Sequence, residues 1–265
     1  MSGLRLGAVG YLNTLPLVHG LDAVPGRFAV RFDVPARCAE LLHAGQIDLG
    51  LIPSIEIASG DDYRVVPGVA IASQGPVASV AVFSSKPLAS IGSIALDTSS
   101  RTSVALLRVL CRERFDIAPR LEADAPSLDD MLRRCDAALI IGDPALFADH
   151  AARGLLKIDL GEEWTALTGL PFVWAFWAGR PPVVTADVCR ALADARDRGV
   201  AAVDEIASAY AAGNEARERV AAHYLRHHIS YGLGPAHEAA LERYYTSAAA
   251  LGLVPPGTRP VFGPR

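Results

Sequence analysis

Apolar and polar residues alternate between short runs and helical spacing along the whole chain. Residues 4–9 form an apolar run broken at Gly10, and 28–34 alternate, so both are predicted strands. Pro16 stands where helices begin, and 17–21 should turn into one. The spacing predicts a helix over 36–44, capped by Gly45, and 47–52 has the length of a buried strand. This β-α-β-α-β order implies a parallel sheet with helices on its faces.

Two strands are expected in 63–83, broken at Ser73-Gln74-Gly75-Pro76, with the second crossing into another lobe. A second unit then begins, with strands at 94–97, 120–123 and 137–141 and helices at 99–115, 128–133 and 143–150. The chain returns near 170–177. Everything from 187 onward has helical spacing, over 187–210, 214–228 and 235–251, with Gly232 and Gly234 as breakers. One α/β unit inserted into another and finished by helices is the plan of a two-lobed α/β, type II periplasmic-binding-protein-like fold with a ligand cleft between the lobes. One lobe is expected from 1–82 plus 177–265 and the other from 83–176.

The 265 residues are 51% hydrophobic and 20% charged, enough for large cores and too apolar for disorder. A net charge of −4 with scattered arginines supplies no basic field for nucleic acid, so an anionic ligand has to be met by local groups. The longest apolar stretches, 65–73 and 170–178, fall short of the roughly 20 residues that span a bilayer. The N-terminus has one basic residue and a short apolar run ending at a turn, unlike a secretory signal, and a cytoplasmic location is expected. Cys38, Cys111, Cys135 and Cys189 lack metal-ligand spacing and read as free thiols.

Candidate chemistry gathers at the ends of predicted strands. Tyr11, Asn13 and Thr14 follow the first, where open parallel sheets bind ligands; Asn13 and Thr14 would equally serve as helix caps. Ser54 and Glu56 stand in the same relation to 47–52. Gly75 allows close backbone approach in a turn that also reads as a plain lobe crossover, and Ser84 lies past the next strand. Arg101, Thr102 and Ser103 bring a guanidinium and hydroxyls to a helix N-terminus, a combination that fits a carboxylate. Asp143, after Gly142, caps a helix or bonds a ligand hydroxyl, and Phe172, with Trp164 and Trp174, walls a ring-sized pocket or packs a core. His223, His227 and His228 lack the Glu of a zinc hydrolase motif and read as a solvated face; no metal site is expected.

At these residues the chain resembles the chorismate dehydratase family, which acts first in the futalosine route to menaquinone. The resemblance covers nearly the whole chain. It rests on Val9-Gly10-Tyr11-Leu12-Asn13-Thr14-Leu15-Pro16-Leu17, on 97–107 with its Ser-Arg-Thr-Ser helix start, on Ile141-Gly142-Asp143-Pro144-Ala145-Leu146, and on Trp164 with 168–173. The sister dihydroxynaphthoate synthases have a Thr-Thr helix start where this chain has Arg101-Thr102-Ser103. The resemblance implies a hydro-lyase that removes water from chorismate to give 3-[(1-carboxyvinyl)oxy]benzoate, with no cofactor, no metal and no obligate protein partner. Asn13 is its expected catalytic residue. Tyr11, Thr14, Ser54, Gly75, Ser84, Arg101, Thr102, Ser103, Asp143 and Phe172 are its expected substrate contacts. These segments offer no base at neutral pH, so the substrate's own enolpyruvyl carboxylate is expected to take the proton, with Asp143 or Glu56 as rivals. A non-catalytic small-anion-binding protein and a 1,4-dihydroxy-6-naphthoate synthase are the alternative functions.

Overall fold

The computed structural model describes residues 3–59 and 62–264; residues 1–2, part of the N-terminal reading, lie outside it, as do 60–61 and 265. Leu4–Val9 (β1) leads through a 3-10 turn at Leu12–Thr14 into the single helical turn Leu15–Val18 (α1). The expected helix does not run to Leu21, because Gly20 takes a left-handed conformation (φ 69°) after it. Phe28–Asp33 (β2), Pro35–His43 (α2), Leu49–Pro53 (β3) and Arg64–Ser73 (β4) complete the first unit. Val80–Ser84 (β5), Ser93–Asp97 (β6), Arg101–Leu110 (α3), Arg120–Asp124 (β7), Leu128–Arg134 (α4), Ala137–Ile141 (β8), Gly142–Leu146 (α5), Leu156–Asp159 (β9) and Leu160–Thr168 (α6) form the second. Phe172–Gly179 (β10) returns to the first, and Ala186–Ala201 (α7), Val203–Ala211 (α8), Glu215–His227 (α9) and Pro235–Ala250 (α10) close the chain.

Two five-stranded sheets share one plan, β2-β1-β3-β10-β4 and β7-β6-β8-β5-β9. In each, four strands run in one direction and the strand delivered by a lobe crossing, β10 or β5, runs antiparallel to both neighbours. The sheets are thus mixed, not wholly parallel as the element order implied. A crossing strand starts at the cleft, where its parallel neighbours end: Val80 faces Ile141, the last residue of β8. It therefore has to run against them. The expected lobe boundaries at 82/83 and 176/177 fall inside β5 and β10.

Strands β3, β5, β8 and β10 are buried along their full length, as central strands covered on both faces must be. The free edge of β4 is covered by the C-terminal region, where Ser230 pairs with Ala72 and Phe262 with Val65. Three further differences separate the structure from the sequence expectation. Ala202 (φ −98°, ψ 19°) splits 187–210 into α7 and α8, the helix after Gly142 stops at Leu146, and β9 with α6 was not foreseen. Strand β9 is only four residues long. Helix α6 starts because Asp159 accepts hydrogen bonds from the Gly161 and Glu162 N–H groups, a cap that offsets the glycine in its first turn. Among the described residues no helix is long and apolar enough to cross a membrane.

Helix α7 lies against α1, and Gly199 is the point of closest approach: a β-carbon there would run into the Pro16 carbonyl. This contact fixes where the turn at Leu12–Thr14 sits. Gly199→Ala should therefore destabilise the protein by about 1–3 kcal/mol through overpacking. An unchanged urea midpoint would show that α1 is free to move aside.

Candidate active site

The strand ends of both sheets face each other across a partly open cavity. Its apolar wall is built from Val9, Pro35, Pro53, Ile71 and Trp174 on one side and Val77, Val80 and Ile141 on the other. Six side chains bring polar groups to it: Tyr11, Asn13, Ser79, Ser100, Thr102 and Ser103. Among the described residues that line it, none is charged.

The turn after β1 sets the first of these groups. Its Leu12 N–H has no partner within the turn and donates instead to Asp143 of the opposite lobe, at 3.0 and 3.3 Å to the two carboxylate oxygens. Tyr210 donates to the same carboxylate at 2.7 Å, and Arg217 donates to the Tyr210 hydroxyl at 2.8 Å while lying 4.1 Å over the Phe147 ring. Beside this bond Gly142, at φ 67°, takes the Tyr11 ring against its α-carbon; a β-carbon there would sit 2.6 Å from the ring. Both contacts join the lobes directly behind the cavity.

Asn13 and Ser79 meet through a third residue. Asn13 Nδ2 donates to the Tyr224 hydroxyl at 3.0 Å, and that hydroxyl lies 2.7 Å from Ser79 Oγ. Asn13 Oδ1 is buried with no hydrogen-bond partner. Ser79 owes its place to a clamp on the crossing segment. Asp159 accepts from the Val77 and Ala78 N–H groups, at 3.0 and 2.6 Å, and Lys157 Nζ donates to the Ala78 carbonyl at 2.6 Å. These bonds hold Ala78 at φ 62°, a left-handed conformation costly for a residue with a β-carbon.

The N-terminus of α3 closes the remaining side. Ser100 caps it by accepting from the Ser103 N–H at 3.3 Å, and Thr102 Oγ1 accepts from the Ile55 N–H of the other lobe at 3.1 Å. Behind them, Asp97 accepts from the Ser99 N–H and hydroxyl at 2.8 and 2.5 Å, and burial raises its carboxyl above the ordinary range. Burial likewise raises the Tyr11 phenol. The helix end meets the cavity with the positive end of its dipole and the hydroxyls of Ser100, Thr102 and Ser103, an arrangement suited to a carboxylate.

Of the residues expected from sequence, Tyr11, Asn13, Thr102 and Ser103 come together on this wall. Arg101 does not. Its guanidinium is bonded to Glu56 at 3.0 and 3.1 Å and to Glu40 at 3.2 Å, outside the cavity, because the helix turns N1 away from the face that carries N2 and N3. Thr14 is fully buried behind the wall with its hydroxyl unpartnered. Ser54 Oγ lies 3.5 Å from Thr102 Oγ1, its carbonyl accepting from Tyr245, and the Gly75 N–H is given to Thr165. Ser84 sits at the far end of β5, bonded to the Asp136 carbonyl, and Phe172 packs in a ring cluster with Trp164, Trp174 and Tyr244. Asp143 is taken by Leu12 and Tyr210, and Glu56 by Arg101 and His43, so neither rival base faces the cavity.

Ser79, Ser100 and Tyr224 were not among the expected site residues, whereas Trp174 lines the cavity as one of the two readings of its segment allowed. Ser79 and Ser100 lie within or beside segments already marked by their motifs. Tyr224 is 211 positions from Asn13 in an amphipathic helix, and nothing local distinguishes it. Among the described residues no group of three His, Cys, Asp or Glu side chains is placed to hold a metal ion.

A protein-family model described as menaquinone biosynthesis matches residues 4–250. A chorismate dehydratase of Thermus thermophilus is 34% identical over 246 residues, covering 84% of this chain and 89% of that protein. Among solved structures, the periplasmic aliphatic sulphonate binding protein of Escherichia coli superposes with a TM-score of 0.68 at 19% identity, over 100% of this chain and 93% of that one. A Candida albicans protein described as exhibiting the generic periplasmic binding protein fold has a TM-score of 0.69 at 13% identity, over 96% and 92%. The two-lobed periplasmic-binding-protein-like fold expected from sequence is therefore the fold observed.

Two outcomes follow from the lobe contacts. Gly142→Ala forces both a left-handed alanine and a displaced Tyr11 ring, so it should lower thermal stability by about 1–3 kcal/mol and open the cavity wall. Hydrogen exchange at 10–14 as slow as in the wild type would contradict this. Burial outweighs the bonds from Tyr210 and Leu12 and raises the Asp143 carboxyl above its ordinary 3.8. Between 3.8 and the folded value the native state holds more protons than the unfolded chain, so stability falls as pH rises through that window and levels off above it. Asp143→Asn should flatten part of that slope in urea midpoints, with Asp97 supplying a remainder of the same sign.

Proposed function

This chain belongs to the menaquinone biosynthesis family, and on that footing we propose that it is a chorismate dehydratase, a cytoplasmic hydro-lyase acting without a cofactor. The observation that carries the reading is Asn13 Oδ1, a buried acceptor without a partner on a wall that has no charged side chain.

Dehydration of chorismate removes the ring C3 hydrogen and the C4 hydroxyl. The C3–H electron pair becomes a ring double bond, the C4–O bond breaks, and the hydroxide departs with one proton as water. Aromatisation drives the step, so the protein has to orient the substrate and move one proton. In this reading one carboxylate lies at the α3 N-terminus against Ser100, Thr102 and Ser103, where N–H dipoles and hydroxyls replace water. The ring fits between Trp174 and Ile71 on one side and Ile141 and Val80 on the other. Asn13 Oδ1 accepts the hydrogen of the C4 hydroxyl and fixes the leaving group. Ser79 stands beside it for the enolpyruvyl carboxylate.

With Asp143 and Glu56 engaged elsewhere, the enolpyruvyl carboxylate itself is the proton acceptor. A neutral wall favours that role, since a bound guanidinium would lower the carboxylate's basicity.

Incubation of the purified protein with chorismate should yield the aromatic enol ether, followed by its ultraviolet absorbance. Asn13→Ala should lower turnover by about 10²-fold, the usual cost of losing one preorganised polar group in a dry site. Near wild-type turnover by both Asn13→Ala and Asn13→Asp would remove Asn13 from the mechanism. Tight binding of chorismate without product would identify a solute-binding protein, and conversion of cyclic dehypoxanthine futalosine the sister enzyme.

A further inference from the structure

Resting on the dehydratase reading, we propose that Tyr224 is a positioning residue that sets the polarity of both Asn13 and Ser79 through one hydroxyl. The argument is a count of protons. Asn13 Nδ2 lies 3.0 Å from the Tyr224 oxygen and has only hydrogens to give, so the phenol accepts there. Either hydroxyl of the 2.7 Å Tyr224–Ser79 pair can donate, but among the described residues the buried phenol proton meets no other acceptor, so it is directed to Ser79 Oγ and the Ser79 hydroxyl keeps its own proton for the cavity. One chain of donors therefore leaves an acceptor, Asn13 Oδ1, and a donor, Ser79 O–H, on the same wall. That pair is complementary to a substrate hydroxyl beside a substrate carboxylate. Reversing the chain would turn a Ser79 lone pair toward the carboxylate, which only accepts, and oppose its binding.

Tyr224 is 2% exposed, and burial holds its phenol far above neutral pH, so the proton on which the chain depends stays in place. The end of α9 grips the crossing segment a second time, where His228 Nδ1 meets the Pro76 carbonyl at 3.0 Å. The helix thus reads out the position of both lobes' contributions to the wall.

Tyr224→Phe keeps the ring and removes only the hydroxyl. It should lower kcat for chorismate by about 10²-fold, as expected when a reacting group loses its alignment, with KM changed by less than about threefold. In an Asn13→Ala, Ser79→Ala background the same substitution should cost less than about threefold more, because both residues it positions are already gone. Wild-type kcat in Tyr224→Phe, or a full additional loss on top of the Asn13→Ala, Ser79→Ala pair, would overturn the proposal. A measurement without turnover covers a variant that fails to fold. In the ligand-free wild type, the Asn13 side-chain amide, assigned by its loss in Asn13→Ala, should show one slowly exchanging proton; fast exchange of both protons would overturn the hydrogen bond. Failure of the wild type to convert chorismate would instead overturn the dehydratase reading and the catalytic role with it. Normal wild-type turnover with an undiminished Tyr224→Phe overturns the role of Tyr224 alone.

Discussion

The bond from Leu12 N–H to Asp143 is the constraint on which the cavity depends. A carboxylate removed from water is costly unless several donors meet it, and here the donors come from the opposite lobe. The cost of burying Asp143 is therefore offset only when the lobes are together. Everything on the polar wall inherits that condition. Tyr11 rests on Gly142, Asn13 lies one residue beyond Leu12, and Tyr210 brings Arg217 onto Phe147. Closing the lobes and building the wall are one event in physical terms.

The cavity so formed is neutral and largely apolar, with a few hydroxyls and one amide on its wall. On the proposed reading this resolves a tension that a dianionic substrate creates. Arginine would bind its carboxylates tightly and at the same time spoil one of them as a proton acceptor. Hydroxyls and helix dipoles hold charge with less loss of basicity, and Arg101, bonded to Glu56 and Glu40, lies outside. Part of the cost of leaving out full charges is met by the apolar wall around Trp174, which strengthens every remaining hydrogen bond by excluding water.

Much of this was legible in the sequence because its signals are local. Strand ends followed by Asn13, Ser100 to Ser103 and Gly142 marked the loops that meet in the cleft, and the order of elements marked the inserted lobe. Where the outcome turned on direction, the sequence was mute. Position N1 of a helix and positions N2 and N3 point to different sides, so Arg101 and Thr102 parted company although adjacent. Ser84 and Ser79 bracket one strand, and a strand five residues long separates its two ends by the thickness of the lobe. Tyr224 belongs to a third category. It is joined to Asn13 only by the fold, and helical spacing alone marks it as core.

The shared sheet plan also bears on the order in which the chain can acquire structure as it emerges. All five strands of the second sheet lie in one uninterrupted stretch, from Val80 to Asp159. The first sheet begins earlier but lacks β10, the strand between β3 and β4, until Phe172–Gly179 has been made. A nascent chain thus carries an incomplete N-terminal half, with β3 and β4 unjoined, while the inserted half is already able to close its own core. Vectorial synthesis is inverted at the level of cores: the lobe whose first strand leaves the ribosome first is the lobe that matures last.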